Sequence, residues 1–147
     1  MIIKDDVTLD INNLDKDWER QSSLMEEYST ALSTANREYS NQKIVLESTV
    51  AEKKMQWRLA GEIEIDGKKT KVTEGSLDNA IDSDRDCIEQ KKLLIEKQYE
   101  IDVLKGVVEA LRNKKSALEY EVQLYLSGYF GSPNDQRTLL NDRSKSV

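Results

Sequence analysis

The sequence predicts an all-α protein whose two long helices pair as a coiled-coil-like αα-hairpin, with a small β-hairpin and a short helix between them. Three observations carry this prediction. Apolar positions recur at steps of three and four over residues 24–50, a heptad runs over residues 87–125, and an alternation of period two surrounds Asp66-Gly67. The bulk composition agrees, with 37% hydrophobic and 34% charged residues, a single Pro and a mean hydropathy of -0.70. That is little apolar mass for a thick core, but a thin stripe along a helix needs less.

Residues 1–13 alternate Val7, Leu9 and Ile11 with polar residues, the pattern of a short extended arm. Leu14 to Gln21 suits two turns of helix, with Asp15 as cap and Trp18 as an apolar anchor. Ser23-Leu24-Met25-Glu26 has the form of a capping box, so the first long helix is expected to start at Ser23. Its face reads Leu24, Tyr28, Ala31, Ala35, Tyr39, Gln42, Leu46 and Val50, and no Gly or Pro interrupts it before Gly61. At ~1.5 Å per residue, residues 23–60 extend about 57 Å.

Gly61 stops the helix. Residues 62–72 then alternate around Asp66-Gly67, a dipeptide suited to the two positive φ angles of a type I′ turn. Two strands alone are marginal in water, so this hairpin should pair with copies from other subunits or lie on a helix. A short helix follows, with Leu77, Ala80 and Ile81 on one face, and Ser83 or Asp84 caps the second long helix. Its heptad places Cys87, Leu94, Ile101, Val108, Lys115 and Val122 at position a. Gln90, Lys97, Leu104, Leu111, Leu118 and Tyr125 fall at position d. Nine of these twelve are apolar, which specifies a packing seam carried chiefly by Leu94, Ile101, Leu104, Val108, Leu111, Leu118 and Val122. Gly128 ends the helix, and residues 131–147 read as a flexible tail with Leu139-Leu140 as a candidate docking pair. The expected organisation is an arm (1–13), a helical oligomerisation and DNA-binding domain (14–130) and a tail (131–147).

One αα-hairpin buries little surface against its entropy cost. Leu32, Val45, Ile95, Val103, Val107, Leu124 and Leu126 lie off the seam, and self-association is the simplest way to bury them. The chemistry available is narrow. There is no His, and Cys87 stands alone, so neither a disulfide within the chain nor a Cys- or His-based metal site is available. No phosphate-binding glycine loop or nucleophile elbow occurs. The expectation is a non-enzymatic, cofactor-free protein of a reducing compartment, with no signal peptide and no membrane span.

The net charge is -6, but its distribution is uneven. Residues 53–71 hold Lys53, Lys54, Arg58, Lys68, Lys69 and Lys71 against Glu62, Glu64 and Asp66, while residues 72–90 hold six acidic side chains against Arg85. Lys54 and Arg58 share a helix face, Trp57 sits beside Arg58, and Lys69 and Lys71 share a strand face. Cations with an aromatic neighbour suit a nucleic-acid single strand, whose phosphates need charge and whose bases need a stacking plane. A patch repeated once per subunit adds its contacts through effective concentration. The bland alternative is a set of lysines that solubilises a junction.

The chain resembles the UvsY-like recombination mediators of bacteriophages. The similarity is carried by Lys71-Val72-Thr73-Glu74, Tyr99-Glu100, Asp102-Val103-Leu104-Lys105, Ala110-Leu111, Lys115-Ser116-Ala117-Leu118-Glu119 and Gly128-Tyr129-Phe130, over roughly residues 14–133. The resemblance implies a ring-forming homo-oligomer in the host cytoplasm. It would bind single-stranded DNA and help a RecA-like recombinase displace single-strand-binding protein. It also implies a DNA-binding basic pair followed by Leu, near the end of the first long helix. Arg58-Leu59 matches its second member, and Gln56 stands at the first, with Lys53 and Lys54 just upstream. The contrasting expectation, from the same helix–hairpin–helix order, is a prefoldin-like chaperone subunit or a structural coiled-coil scaffold.

Overall fold

The computed structural model describes residues 3–128. In chain order these form a one-turn helix α1 (Ile3–Val7), a 3-10 turn (Ile11–Asn13), α2 (Leu14–Ala60), β1 (Glu62–Ile65), β2 (Lys68–Lys71), α3 (Glu74–Ser83) and α4 (Arg85–Leu126). The two long helices pack against each other, as the αα-hairpin reading expects. The chain divides into two compact units, one holding residues 1–29 and 106–147, the other residues 30–105. The tail from residue 131 and its Leu139-Leu140 pair lie outside the described residues.

In the first unit, the amino-terminal segment is not the extended arm that its alternation suggests. Asp10 overrides the pattern: its carboxylate accepts from the Asn12 backbone N–H at 3.0 Å and from Asn13 Nδ2 at 2.6 Å, which closes a 3-10 turn. Short polar side chains that bind nearby backbone compete with extended structure in this way. Nor does a new helix begin at Ser23. α2 is continuous for 47 residues from Leu14, with Asp15 and Asp17 in its first turn, where the helix dipole favours negative charge. Good helix formers surround Ser23, and nothing there breaks the backbone hydrogen bonding, so the capping sequence stays inside the helix, with Ser23 and Glu26 exposed and Leu24 buried.

The core of this unit is Leu24 and Tyr28 from α2 with Val107, Val108, Leu111 and Leu118 from α4. Gln21 joins the two helices by donating Nε2–H to the Leu111 carbonyl at 2.6 Å. The heptad places Lys115 on the seam, but Lys115 is exposed and Lys114 is buried instead, at 4% exposure. Tyr125, another heptad position, is also exposed. The inner face has turned because α4 here serves two neighbours. Lys114 Nζ donates to the Asp6 carbonyl at 2.8 Å and pairs with Asp17 of α2 at 3.2 Å.

The second unit contains the hairpin end. α2 stops at Gly61, whose φ of +74° only glycine adopts freely, and its N–H reaches the Trp57 carbonyl at 3.0 Å. β1 and β2 pair antiparallel with Glu62 opposite Lys71 and Ile65 opposite Lys68. Asp66 (φ 49°) and Gly67 (φ 74°) both take the left-handed conformation that the type I′ reading requires. The hairpin is supported by a helix of its own chain. Ile63 on β1 packs with Leu77 and Ala80 of α3, flanked by Trp57, Ile65 and Val72.

α3 is fixed at its start by a reciprocal capping box between Thr73 and Ser76. Of the two candidate caps for α4, Asp84 acts, accepting from the Cys87 N–H at 3.0 Å. Further along, Gln42 Nε2 donates to Gln90 Oε1 at 2.6 Å, and Ala35 and Ile101 are buried. Every residue of the expected α2 face is buried or half-buried. Among the described residues, no helix is long and apolar enough to cross a membrane.

Candidate nucleic-acid interface

All seven residues singled out for nucleic-acid binding lie in the second unit, at the end of α2 and on the hairpin. Their surroundings differ from the sequence expectation in two respects. The first is Trp57. Its ring is half-buried and packs against the Ile63–Leu77–Ala80 cluster, so the side chain supports the hairpin and is not presented as an open stacking plane. Proximity to Arg58 in sequence hid this, since consecutive helical residues point about 100° apart.

The second difference is that the helical cations already have anionic partners. Lys53 Nζ lies 3.3 Å from Asp84 and 2.8 Å from Asp86. Lys54 Nζ lies 2.7 Å from Asp78, and Arg58 lies 2.8 Å from Glu74. The last two pairs follow from matched spacings: Lys54 and Arg58 are four apart on α2, and Glu74 and Asp78 are four apart on α3. Each couple shares one face of its helix, so two antiparallel helices can join them like rungs. The carboxylates were the functional neighbours that the sequence reading missed. Their signal was present, in the acidic run that directly follows the basic one.

On the hairpin, Lys69 lies 3.6 Å from Glu62. Lys68 and Lys71 have no ion-pair partner among the described residues, and all of β2 is exposed.

The electrostatics follow from these contacts. The hydrogen bond to Asp86, helped by Asp84, raises the Lys53 ammonium above its ordinary value. Burial pushes the Asp84 carboxyl up, but hydrogen bonds from Cys87 and Lys53 outweigh it and hold the group below the ordinary aspartate value. Burial, with Asp84 nearby, raises the Cys87 thiol, so this lone cysteine is a weakly reactive core residue. Exposure decides how firmly the cations are held. The Arg58 and Glu74 side chains are 53% and 74% exposed, whereas Lys54 is 24% exposed against Asp78 at 65%, and Lys53 and Asp84 are 26% and 15% exposed. A pair as open as Arg58–Glu74 contributes ~0–1 kcal/mol and exchanges readily.

Compared with known proteins, the chain matches no family model, no curated protein and no solved structure.

The residues expected to carry helix packing divide by burial. Ile101, Val108, Leu111 and Leu118 are buried, whereas Leu94, Leu104 and Val122 are half-buried. Of the off-seam apolar residues, Val107 is buried and Leu32 and Leu124 are half-buried, but Val45, Ile95, Val103 and Leu126 are exposed. The second unit also leaves Ile44 (63%), Met55 (63%), Leu59 (79%) and Tyr99 (65%) open to solvent.

Proposed function

We propose that this chain is a self-associating phage recombination mediator. In the host cytoplasm it binds single-stranded DNA at the hairpin end and helps a RecA-like recombinase displace single-strand-binding protein. The observation that supports the reading most is the gathering of Lys53, Lys54, Arg58, Lys68, Lys69 and Lys71 in one unit, around a hairpin whose lysine strand is exposed. The exposed aliphatic residues of the same unit support self-association, in a ring whose repeated patches act together.

The ion pairs set the terms of binding. A phosphate backbone takes Lys54 and Arg58 from Asp78 and Glu74, one anion replacing another, while Lys68 and Lys71 meet phosphate directly. An acidic protein can then bind a polyanion with modest affinity and steep salt dependence.

The test is fluorescence anisotropy of labelled oligo-dT at two salt concentrations. Tight binding at low salt that weakens steeply at high salt, and that falls about tenfold in Lys54→Ala/Arg58→Ala, is the expected result. Unchanged affinity in that double variant sinks the site. A monomer in sedimentation at micromolar concentration sinks the ring.

A second reading is a scaffold or prefoldin-like chaperone. The internal pairing of Lys53, Lys54 and Arg58 favours it, because those cations are then structural. Suppression of client aggregation without salt dependence, and no binding to oligo-dT, would select it.

A further inference from the structure

The first unit carries an open groove that the core does not use. Its volume is about 720 Å³, and Ile11, Leu14, Trp18, Val122, Tyr125 and Leu126 form its apolar lining. Much of that lining is exposed: Ile11 at 57%, Trp18 at 46%, Tyr125 at 71% and Leu126 at 79%. Asp15, Glu19 and Glu119 also line the groove and give it a negative charge, with no cation among its lining residues. A smaller hollow shares Trp18 and is lined also by Gln21, Ser22, Met25 and Lys115. There Gln21 is 6% exposed, its Nε2 is committed to the Leu111 carbonyl, and its Oε1 is buried without a hydrogen-bond partner. An orphaned acceptor in a buried side chain costs about 1–3 kcal/mol, so the hollow is suited to an incoming donor.

We propose that the groove takes the carboxy-terminal segment of its own chain, residues 137–143, Arg137-Thr138-Leu139-Leu140-Asn141-Asp142-Arg143. Two features select this occupant, its composition and the shortness of its tether. The segment carries an apolar pair and, with Arg137 and Arg143 against Asp142, a net positive charge, the complement of an apolar groove with acidic walls. Docked there, the leucine pair would cover apolar lining such as Trp18 and Val122, and the two arginines would face the acidic walls. One of its N–H groups would also lie in the neighbourhood of Gln21 Oε1, in the smaller hollow that shares Trp18.

The connection is also short enough. α4 ends at Leu126 inside the groove lining, and Gly128, with φ +75°, turns the chain away from the helix direction. The eleven residues from Gly128 to Leu139 reach up to about 35 Å, ample for a return along the groove. Entropy favours the intramolecular occupant, because the short tether gives it an effective concentration on the order of millimolar. The inference stands apart from DNA binding and survives its failure.

The test uses the full chain, with Leu139→Asp/Leu140→Asp as the variant. Limited trypsin cleavage after Arg137 and Arg143 is expected to run about tenfold faster in the variant than in the unsubstituted chain, the ratio for an opening that costs ~1.4 kcal/mol less. In a Trp57→Phe background, where Trp18 is the only indole, the same two changes should shift its emission to the red as the ring becomes wetter. Equal cleavage rates with unchanged emission overturn the proposal. Protection that fades on dilution also overturns it, by assigning the groove to the tail of a second copy.

Discussion

The two units solve the problem of charge in opposite ways. The first puts charge inside. Lys114, with a side chain 2% exposed, pairs with Asp17, which is 14% exposed, and Asp6 collects Arg20 and the Tyr28 hydroxyl. The second keeps most of its paired charge outside, as in Arg58–Glu74 and Lys91–Asp82, whose members are 42–74% exposed, with Lys53–Asp84 the more covered exception. A buried pair is costly to break, because the partner left behind stays desolvated. An exposed pair costs little to break and little to exchange. The first arrangement therefore fixes a register, and the second leaves cations available to other anions.

The largest expected effect comes from breaking the buried network. Lys114→Ala leaves Asp17 and the Asp6 carbonyl without their donor and should lower the unfolding free energy by about 3–5 kcal/mol in urea titration. Lys114→Met, which fills the same space without charge, separates the cost of the lost donor from that of a cavity. If both variants are as stable as the parent, the buried pair does not hold the first unit together.

Alkaline pH probes the same unit by another route. Burial, with the hydrogen bond to Asp6 next in importance, pushes the Tyr28 hydroxyl from 10.0 to about 12. The folded state thus favours the neutral phenol. Its contribution is complete below pH 10 and is lost as the pH climbs toward 12. Stability should fall over that window by about 2 kcal/mol, and Tyr28→Phe should remove this part of the fall. An identical alkaline profile in the phenylalanine variant would contradict the assignment.

The smallest effect on stability is expected in the second unit. Replacing Glu74 by Gln and Asp78 by Asn should change the unfolding free energy by less than ~1 kcal/mol. Under the proposed function, the same pair of changes frees Arg58 and Lys54 and tightens oligo-dT binding several-fold. Weaker binding, or a large loss of stability, would mean that these ion pairs build the hairpin end.

Legibility in the sequence followed locality. The hairpin, its Asp66-Gly67 turn and the stop at Gly61 were readable because each depends on residues adjacent in the chain. The α2 seam was readable because a single periodicity governs it. What escaped was set by partners far away in sequence. Lys114 exchanges places with Lys115 through contacts to Asp6 and Asp17, about a hundred residues distant. Ser23-Leu24-Met25-Glu26 has capping form, but no signal there stops the helix already under way from Leu14. The basic residues of the candidate site were visible in number, yet their partners required knowing that α3 lies against the end of α2. Trp57 was misread for the same reason, its environment being a cluster completed by Leu77 and Ala80.

The Asp66-Gly67 turn also bears on how the chain folds. Contacts around it close short loops: Arg58 to Glu74 spans 16 residues and Lys54 to Asp78 spans 24. In the first unit, Gln21 to Leu111 spans 90 and Lys114 to Asp6 spans 108. Closing a longer loop costs more entropy, by roughly 0.6 kcal/mol for each doubling. Formation of the turn and its Ile63–Leu77 cluster shortens the loop that remains, and each further pairing along the long helices shortens it again. The order with the least loop-closure entropy is therefore one in which the turn forms first and the long helices zip from it toward their far ends.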